Sequence, residues 1–268
     1  MLRVREHKWL KTGSPNSRLK FESDIGPVGI GLRYLVLDGK RAYNLGINCQ
    51  TCSFFFERMS GAIHSVEIQE TADALRHGVN SLNEKVVGTV GQGLPEGEYL
   101  TLLAETLVEL IRPGGSGDYF VKEQVALWGE DTFWCLPDNP RVPYYRTGEC
   151  DLGQKRRLFN FVVPMFPTKW LTMTTVSEYA EALRTKAPGT AVSIAVLDVK
   201  GPADWDDDRE PDPVEHWCLI HYLLDGHHKL HAASESGKPF RLLSFVALSQ
   251  GVSTRAQIEE VVRVLSSG

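Results

Sequence analysis

The chain has 268 residues, of which 42% are hydrophobic and 24% are charged, and its formal net charge is -5. This composition is typical of a globular protein with a real core, and the length suits one large domain or two ordinary ones. Proteins that neutralise many phosphates carry a basic face or stripe, so the charge balance predicts no nucleic-acid partner. The start lacks an apolar targeting segment and no run of about 18 apolar residues follows. We therefore expect a cytoplasmic protein without membrane contact.

The first quarter of the chain predicts mixed structure. Residues 1–25 are polar, and we expect a loose arm or an irregular strand there. Residues 32–37 and 41–45 are apolar runs separated by Asp38-Gly39, a turn signal that predicts a β-hairpin. Residues 53–59 fit a short helix capped by Ser53 or a buried strand, and we favour the helix; residues 69–76 have the composition of a second helix.

The middle of the chain is harder to interpret. Residues 86–97 contain four glycines and lack the Lys-Ser/Thr of a phosphate-binding P-loop, so we predict a bent loop or strand edge. Residues 98–111 form a long apolar segment that predicts a helix, ended by Pro113-Gly114-Gly115. Residues 113–150 are rich in Pro, Gly, Trp and Tyr, which indicates irregular structure packed on aromatic side chains.

Strands and helices alternate in the C-terminal part, which predicts an α/β layer. We expect strands over residues 158–165, 191–199, 217–224 and 240–248, and helices over residues 175–186, 227–236 and 254–265. Capping boxes at Thr175–Glu178 and Thr254–Gln257 would open the first and last of these helices.

The chemistry concentrates at the turn Asp225-Gly226-His227-His228-Lys229. A strand that ends at Gly226 and passes at once into a helix leaves several backbone N–H groups unpaired at the positive end of the helix dipole. His227, His228 and Lys229 add further donors on the first turn. The pattern predicts an anion site, with phosphate as its natural ligand. The alternative is a tight strand-to-helix corner in which Asp225 serves as a cap.

The same segment resembles the core of the ParB/sulfiredoxin-like superfamily. The resemblance rests on the Asp-Gly-His-His-Lys turn, the paired alanines Ala232-Ala233 and the break Gly237-Lys238-Pro239, which match the variant similar to free-amino-acid kinases. It implies a ParB/sulfiredoxin-like domain over residues 158–268, behind a separate mixed domain over residues 1–157. Sulfiredoxin chemistry needs a cysteine in the turn, where this chain has histidines.

The resemblance implies a role for each residue of the turn. His227, His228 and Lys229 would contact phosphate oxygens together with the backbone at Gly226, and Asp225 would hold Mg²⁺ or orient an acceptor hydroxyl. We therefore expect an α+β protein that binds a nucleoside triphosphate or diphosphate with Mg²⁺ and transfers phosphoryl to a small hydroxyl substrate. Catalytic roles would fall to Asp225, His227 and His228. A non-catalytic nucleotide or phospholigand sensor, or an assembly module, is the alternative.

Two further groups of residues are candidates for chemistry. Glu178 and Glu181 could supply a general base if their helix faces the turn. Cys49-Gln-Thr-Cys52 follows a hairpin strand in the manner of a zinc knuckle. The other two zinc ligands would be Cys135 and Cys150, or Cys150 with His64. Such a structural Zn²⁺ would stabilise the N-terminal half. A redox pair and unligated thiols are the alternatives.

Overall fold

The computed structural model describes residues 2–25, 29, 31–62, 71–132, 136–185, 189–201 and 212–267. Within these ranges the strands are β1 (Arg3–Thr12), β2 (Leu19–Ile25), β3 (Gly31–Leu37), β4 (Lys40–Ile47), β5 (Glu57–Arg58), β6 (Gly97–Thr106), β7 (Glu109–Ile111), β8 (Tyr144–Gly153), β9 (Arg156–Val163), β10 (Thr190–Lys200), β11 (Glu215–Asp225) and β12 (Phe240–Ala247). The helices are α1 (Ala72–His77), α2 (Lys85–Gln92), α3 (Glu123–Trp128), α4 (Met173–Thr185), α5 (His227–Ser236) and α6 (Arg255–Ser267), with a 3₁₀ turn over Thr168–Trp170.

The strands form two sheets. Eight of them lie in the order β1-β6-β12-β10-β11-β9-β8-β7, and the other four form a small sheet in the order β2-β3-β4-β5. The large sheet is mixed, because β10 pairs with β12 and β11 pairs with β9 in parallel while its other neighbours are antiparallel. The architecture is therefore mixed α/β. The large sheet also crosses the domain boundary predicted after residue 157, since β6 pairs with β12 and β8 pairs with β9.

Alternate residues of β11 show what covers each face of the large sheet. Tyr222 packs with Tyr43 of the small sheet, at 4.8 Å between ring centroids. Trp217, on the other face, packs in a cluster with the buried side of α6, and Leu223 packs with Leu230 of α5. The large sheet is therefore a central layer with apolar side chains buried on both faces, as expected for strands at the middle of a mixed sheet.

Three interpretations of the first half of the sequence were wrong. The segment 98–111 forms β6 and β7 instead of a helix. Its apolar run is continuous because β6 lies between β1 and β12 and is buried on both faces. Residues 53–59 are extended, since Phe54 and Phe56 are both buried with the period of a strand. The glycine-rich stretch contains α2, in which a side chain on Gly91 would lie 2.9 Å from the Thr12 hydroxyl.

The hairpin and the C-terminal elements are confirmed. The strands β3 and β4 pair around Asp38-Gly39, and α1 covers most of the helix predicted over residues 69–76. Helix α5 begins and ends at the predicted residues, and the Thr254–Gln257 capping box forms, with the backbone N–H of each donating to the other's side chain. Helix α4 begins at Met173, so Thr175 lies in its first turn and does not cap it. None of the helices in the described ranges is long and apolar enough to cross a membrane.

Three buried histidines predict the response of the fold to acid. Burial lowers the pKa of His216, His221 and His227 to about 3 in each case. Each ring accepts or shares a hydrogen bond as a neutral group, for example His221 Nδ1 at 2.8 Å from the Ser244 hydroxyl. Near pH 6.5 the unfolded chain binds protons at these rings and the folded chain does not. The free energy of unfolding is therefore at its full value above pH 6.5 with respect to these histidines, and it decreases as the pH falls toward 3.

We expect the free energy of unfolding, measured by urea titration, to fall by about 1 kcal/mol per histidine between pH 7 and pH 5.5. In that interval most carboxylates stay ionised, so the histidines dominate the slope. His221→Gln removes one of the three groups and should reduce the slope by about a third, whatever it does to the stability at pH 7. An unfolding free energy that is flat over this interval would contradict the prediction.

Candidate functional site

The candidate site is a cleft that begins at the turn between β11 and α5. Gly226 caps α5 with φ 93° and ψ 24°, a left-handed conformation that favours glycine. A Cβ at this position would lie 2.4 Å from Cβ of Ala191 on the neighbouring strand β10. Two constraints therefore require glycine here, the backbone angle and the close approach of β10. Together they direct α5 back over the sheet from the last residue of β11.

The N-terminus of α5 is open toward the cleft. Its first intrahelical hydrogen bond runs from the backbone N–H of Leu230 to the carbonyl of Gly226 at 2.9 Å, and no side-chain hydrogen bond caps it. The N–H groups of residues 227–229 precede that bond and carry the positive end of the helix dipole. They adjoin a cleft of about 180 Å³, lined by Ala72, Arg76, Phe166, Tyr179, Asp225, Gly226, His227, His228 and Lys229.

The imidazole of His227 holds the turn against the loop after β9. Its Nε2 accepts a hydrogen bond from the backbone N–H of Met165 at 2.9 Å, and its ring stacks on Phe166 at 4.0 Å between centroids. Burial lowers its pKa to about 3, so the ring is neutral at physiological pH. A neutral ring that accepts at Nε2 carries its proton on Nδ1. His227 can therefore offer a ligand one N–H and no charge.

His228 repeats this arrangement nearer the surface. Its Nε2 accepts a hydrogen bond from the backbone N–H of Thr172 at 3.1 Å, in the segment that leads into α4. Burial lowers the pKa of His228, and the carboxylate of Asp225 partly offsets that effect. Asp225 itself is partly buried and lines the cleft. The turn thus brings together all the residues that the sequence predicts for the anion site, with each histidine bound to a backbone N–H.

Lys229 connects the turn to two other elements. Its ammonium donates to the carbonyl of Leu75 on α1 at 3.2 Å and to the carbonyl of Thr190 on β10 at 2.9 Å. Burial lowers the pKa of Lys229; the Asp225 carboxylate partly offsets that effect, and the guanidinium of Arg76 adds a smaller lowering. Two of the three N–H donors are therefore used within the protein. The sequence predicts Lys229 as a phosphate ligand, and the geometry leaves one donor for that role.

A larger cleft of about 510 Å³ adjoins the first. The two share Arg76, Tyr179 and Lys229 in their linings. Sequence reasoning missed Arg76 and Tyr179 as site residues, because they lie on α1 and α4 and only tertiary packing brings them to the turn. Glu178 also lines the larger cleft, whereas the other candidate base, Glu181, forms an exposed ion pair with Arg184 at 3.1 Å.

The structure separates the cysteines predicted as zinc ligands. Cys49 and Cys52 form a disulfide. Cys150 packs on the α6 face of the large sheet, with Trp217 and Leu158, and has a free thiol. The loop at Cys49 lies toward the other face, where Lys200 binds its backbone. Cys135 and His64 lie outside the described residues. Those residues include no cluster of three or more metal-binding side chains, and zinc at Cys49 and Cys52 stays a prediction.

Fold and site define a mixed α/β protein with a two-part cleft at a strand-to-helix turn. Comparisons with protein-family models, with curated proteins and with solved structures give no match to this chain. The proposals below therefore depend on the residues of the cleft and on their geometry.

The requirement for glycine at the turn is testable with a matched pair of variants. Gly226→Ala introduces left-handed strain and a contact with Ala191, whereas Gly237→Ala at the other end of α5 introduces the strain at φ 60° with no atom within 4 Å of the new Cβ. We expect Gly237→Ala to lower the free energy of unfolding by about 1 kcal/mol and Gly226→Ala by several times as much. Urea unfolding checks both, and equal losses would contradict the steric argument.

Proposed function

We propose that this chain is a nucleotide-binding protein that holds the phosphate groups of its ligand at the N-terminus of α5. The observation that carries the proposal is the uncapped helix terminus at the wall of a cleft that continues into a larger one. Backbone N–H groups at such a terminus are suited to phosphate oxygens, and no side chain of this turn competes for them. The resemblance of residues 217–246 to the ParB/sulfiredoxin-like superfamily supports the same assignment, with residues 158–268 as a domain of that type.

The dimensions of the two clefts fit the two parts of a nucleotide. A volume of about 180 Å³ at the turn suits phosphate groups, and about 510 Å³ beyond it suits a nucleoside, within the usual range of small-molecule sites. Because Arg76, Tyr179 and Lys229 belong to both linings, one ligand can extend through both clefts. The ring of Tyr179 lies at this junction and offers a surface for stacking.

The positive charge of the site comes from Arg76 and Lys229. Burial lowers the pKa of both histidines of the turn, so we assign them a contribution through Nδ1–H donors and not through charge. Arg76 is exposed on the last turn of α1, and none of the ion pairs among the described residues involves it. A guanidinium in this position can bind phosphate oxygens in the bidentate manner that a lysine ammonium cannot. We assign to Arg76 the main side-chain contact with phosphate.

For catalysis we propose phosphoryl transfer from a nucleoside triphosphate or diphosphate to a small hydroxyl substrate. Asp225, beside the phosphate position, would hold Mg²⁺ or orient the acceptor hydroxyl. The developing charge would be stabilised by the α5 N–H groups and by Arg76 and Lys229. One observation favours the alternative of a non-catalytic sensor or assembly module. The side chains of the first turn, His227, His228 and Lys229, all bind backbone groups of the protein. They therefore serve to position the turn, and a binding site without catalysis needs no more than that.

Binding is tested by thermal denaturation and calorimetry with ATP, ADP and CTP, each with Mg²⁺. We expect stabilisation by at least one nucleotide, and Arg76→Gln to weaken that binding about tenfold, which is the usual effect of removing a hydrogen bond to a charged group. Arg263→Gln is the matched control, since α6 packs over the opposite end of β10 and β11. If none of the three nucleotides stabilises the chain, and inorganic phosphate does not stabilise it either, both the enzyme hypothesis and the sensor hypothesis are refuted.

Asp225→Asn separates the two functions. If Asp225 holds Mg²⁺ for phosphoryl transfer, the variant keeps its nucleotide affinity when that affinity is measured without Mg²⁺. In the presence of small hydroxyl compounds, the variant should lose most of the activity that converts the nucleoside triphosphate into the diphosphate. The amide keeps the size of the side chain, so the turn itself stays intact. Equal release by the variant and the original chain would contradict the catalytic role of Asp225, and no release by either would favour the sensor.

A further inference from the structure

The Cys49–Cys52 loop is held in place by three hydrogen bonds, two from the end of β10 and one from α3. The carbonyl of Cys49 accepts from the Lys200 ammonium at 2.6 Å, the carbonyl of Gln50 accepts from the backbone N–H of Gly201 at 2.9 Å, and the carbonyl of Thr51 accepts from the Trp128 indole at 3.3 Å. None of these bonds involves a sulfur atom. The loop therefore has supports that do not depend on the disulfide, and they would keep the two thiols adjacent after reduction.

Donors converge on one of the two sulfur atoms. The backbone N–H of Cys52 lies 3.1 Å from Cys49 Sγ, and the Thr51 hydroxyl oxygen lies 3.5 Å from it. Such donors stabilise the negative charge that develops on a sulfur during thiol–disulfide exchange. Both cysteines are partly exposed, and Gln50 and Thr51 between them are exposed. An external sulfur compound can therefore reach the pair from solvent.

We propose that Cys49 and Cys52 form a redox-active dithiol/disulfide pair that exchanges with external organic disulfides and thiols. In the oxidising direction, the Cys49 thiolate attacks a disulfide RS–SR, and the S–S bond breaks to release RS⁻ and leave a mixed disulfide at Cys49. The Cys52 thiolate then attacks Cys49 Sγ and releases the second RS⁻. The protein loses two protons and two electrons, and the disulfide becomes two thiols.

Two other roles of the pair fit the structure less well. A structural disulfide stabilises chiefly by closing a long loop, and these cysteines are separated by only 3 positions. Among the described residues no further disulfide accompanies this one, since Cys150 and Cys218 are free thiols. Zinc would bind both sulfurs as separate thiolates, whereas here the two sulfurs are bonded to each other.

The test uses the full chain, reduced with dithiothreitol, freed of reductant and equilibrated with mixtures of reduced and oxidised glutathione. We expect alkylation and mass spectrometry to show Cys49 and Cys52 passing between dithiol and disulfide, with the circular dichroism spectrum unchanged. Cys52→Ser should accumulate a glutathione mixed disulfide at Cys49. Cys49→Ser should form one at Cys52 about tenfold more slowly, because that sulfur lacks the N–H donor. Cys150→Ser is the matched control and should leave the exchange unchanged.

Three results would overturn the proposal. The first is one equivalent of zinc that stays with the reduced chain through dialysis, which would make the thiols metal ligands. The second is a disulfide that dithiothreitol reduces only when the chain unfolds, which would make it structural. The third is a reduced pair that reacts with an alkylating reagent but is not oxidised by oxidised glutathione, which would show exposed thiols without exchange activity.

Discussion

The close approach of Gly226 to Ala191 is the constraint on which the cleft depends. Because no side chain fits between β10 and the end of β11, the chain turns into α5 without an intervening loop. The side chains of the first turn then extend to three different segments, and His227, His228 and Lys229 each bind backbone there. The loop after β9, the start of α4 and the end of α1 are thus positioned by one turn.

This arrangement changes the electrostatics expected of a basic sequence motif. Two histidines and a lysine at a helix N-terminus suggest positive charge, yet burial lowers the pKa of all three. Accumulated charge at the positive end of a helix dipole would be unfavourable, and neutral imidazoles avoid that cost. At the proposed site, the attraction for an anion would therefore come from oriented N–H groups and from Arg76, which lies on another helix. A chain with net charge -5 can form such a local site because the backbone N–H donors are fixed by the helix.

The sequence predicted local structure well where a turn signal or cap defined it, as at Asp38-Gly39, the Thr254–Gln257 box and helix α5. It failed for residues 98–111, because a strand buried on both faces has no alternation and matches a buried helix in composition. The donors of the turn were predictable from their spacing along the chain. Arg76 and Tyr179 were not, since their distance to the turn is set by how α1 and α4 pack.

The turn and the Cys49–Cys52 loop are joined through opposite ends of one strand. Thr190, at the start of β10, accepts from Lys229, and Lys200, at its end, donates to Cys49. The two ends lie about 33 Å apart at the usual rise of a strand. Every residue of β10 is buried, and Val192–Lys200 pair with β11, which disfavours the alternative arrangements that energetic coupling between distant sites requires. We therefore expect oxidation of the pair to leave the affinity of the proposed nucleotide site unchanged.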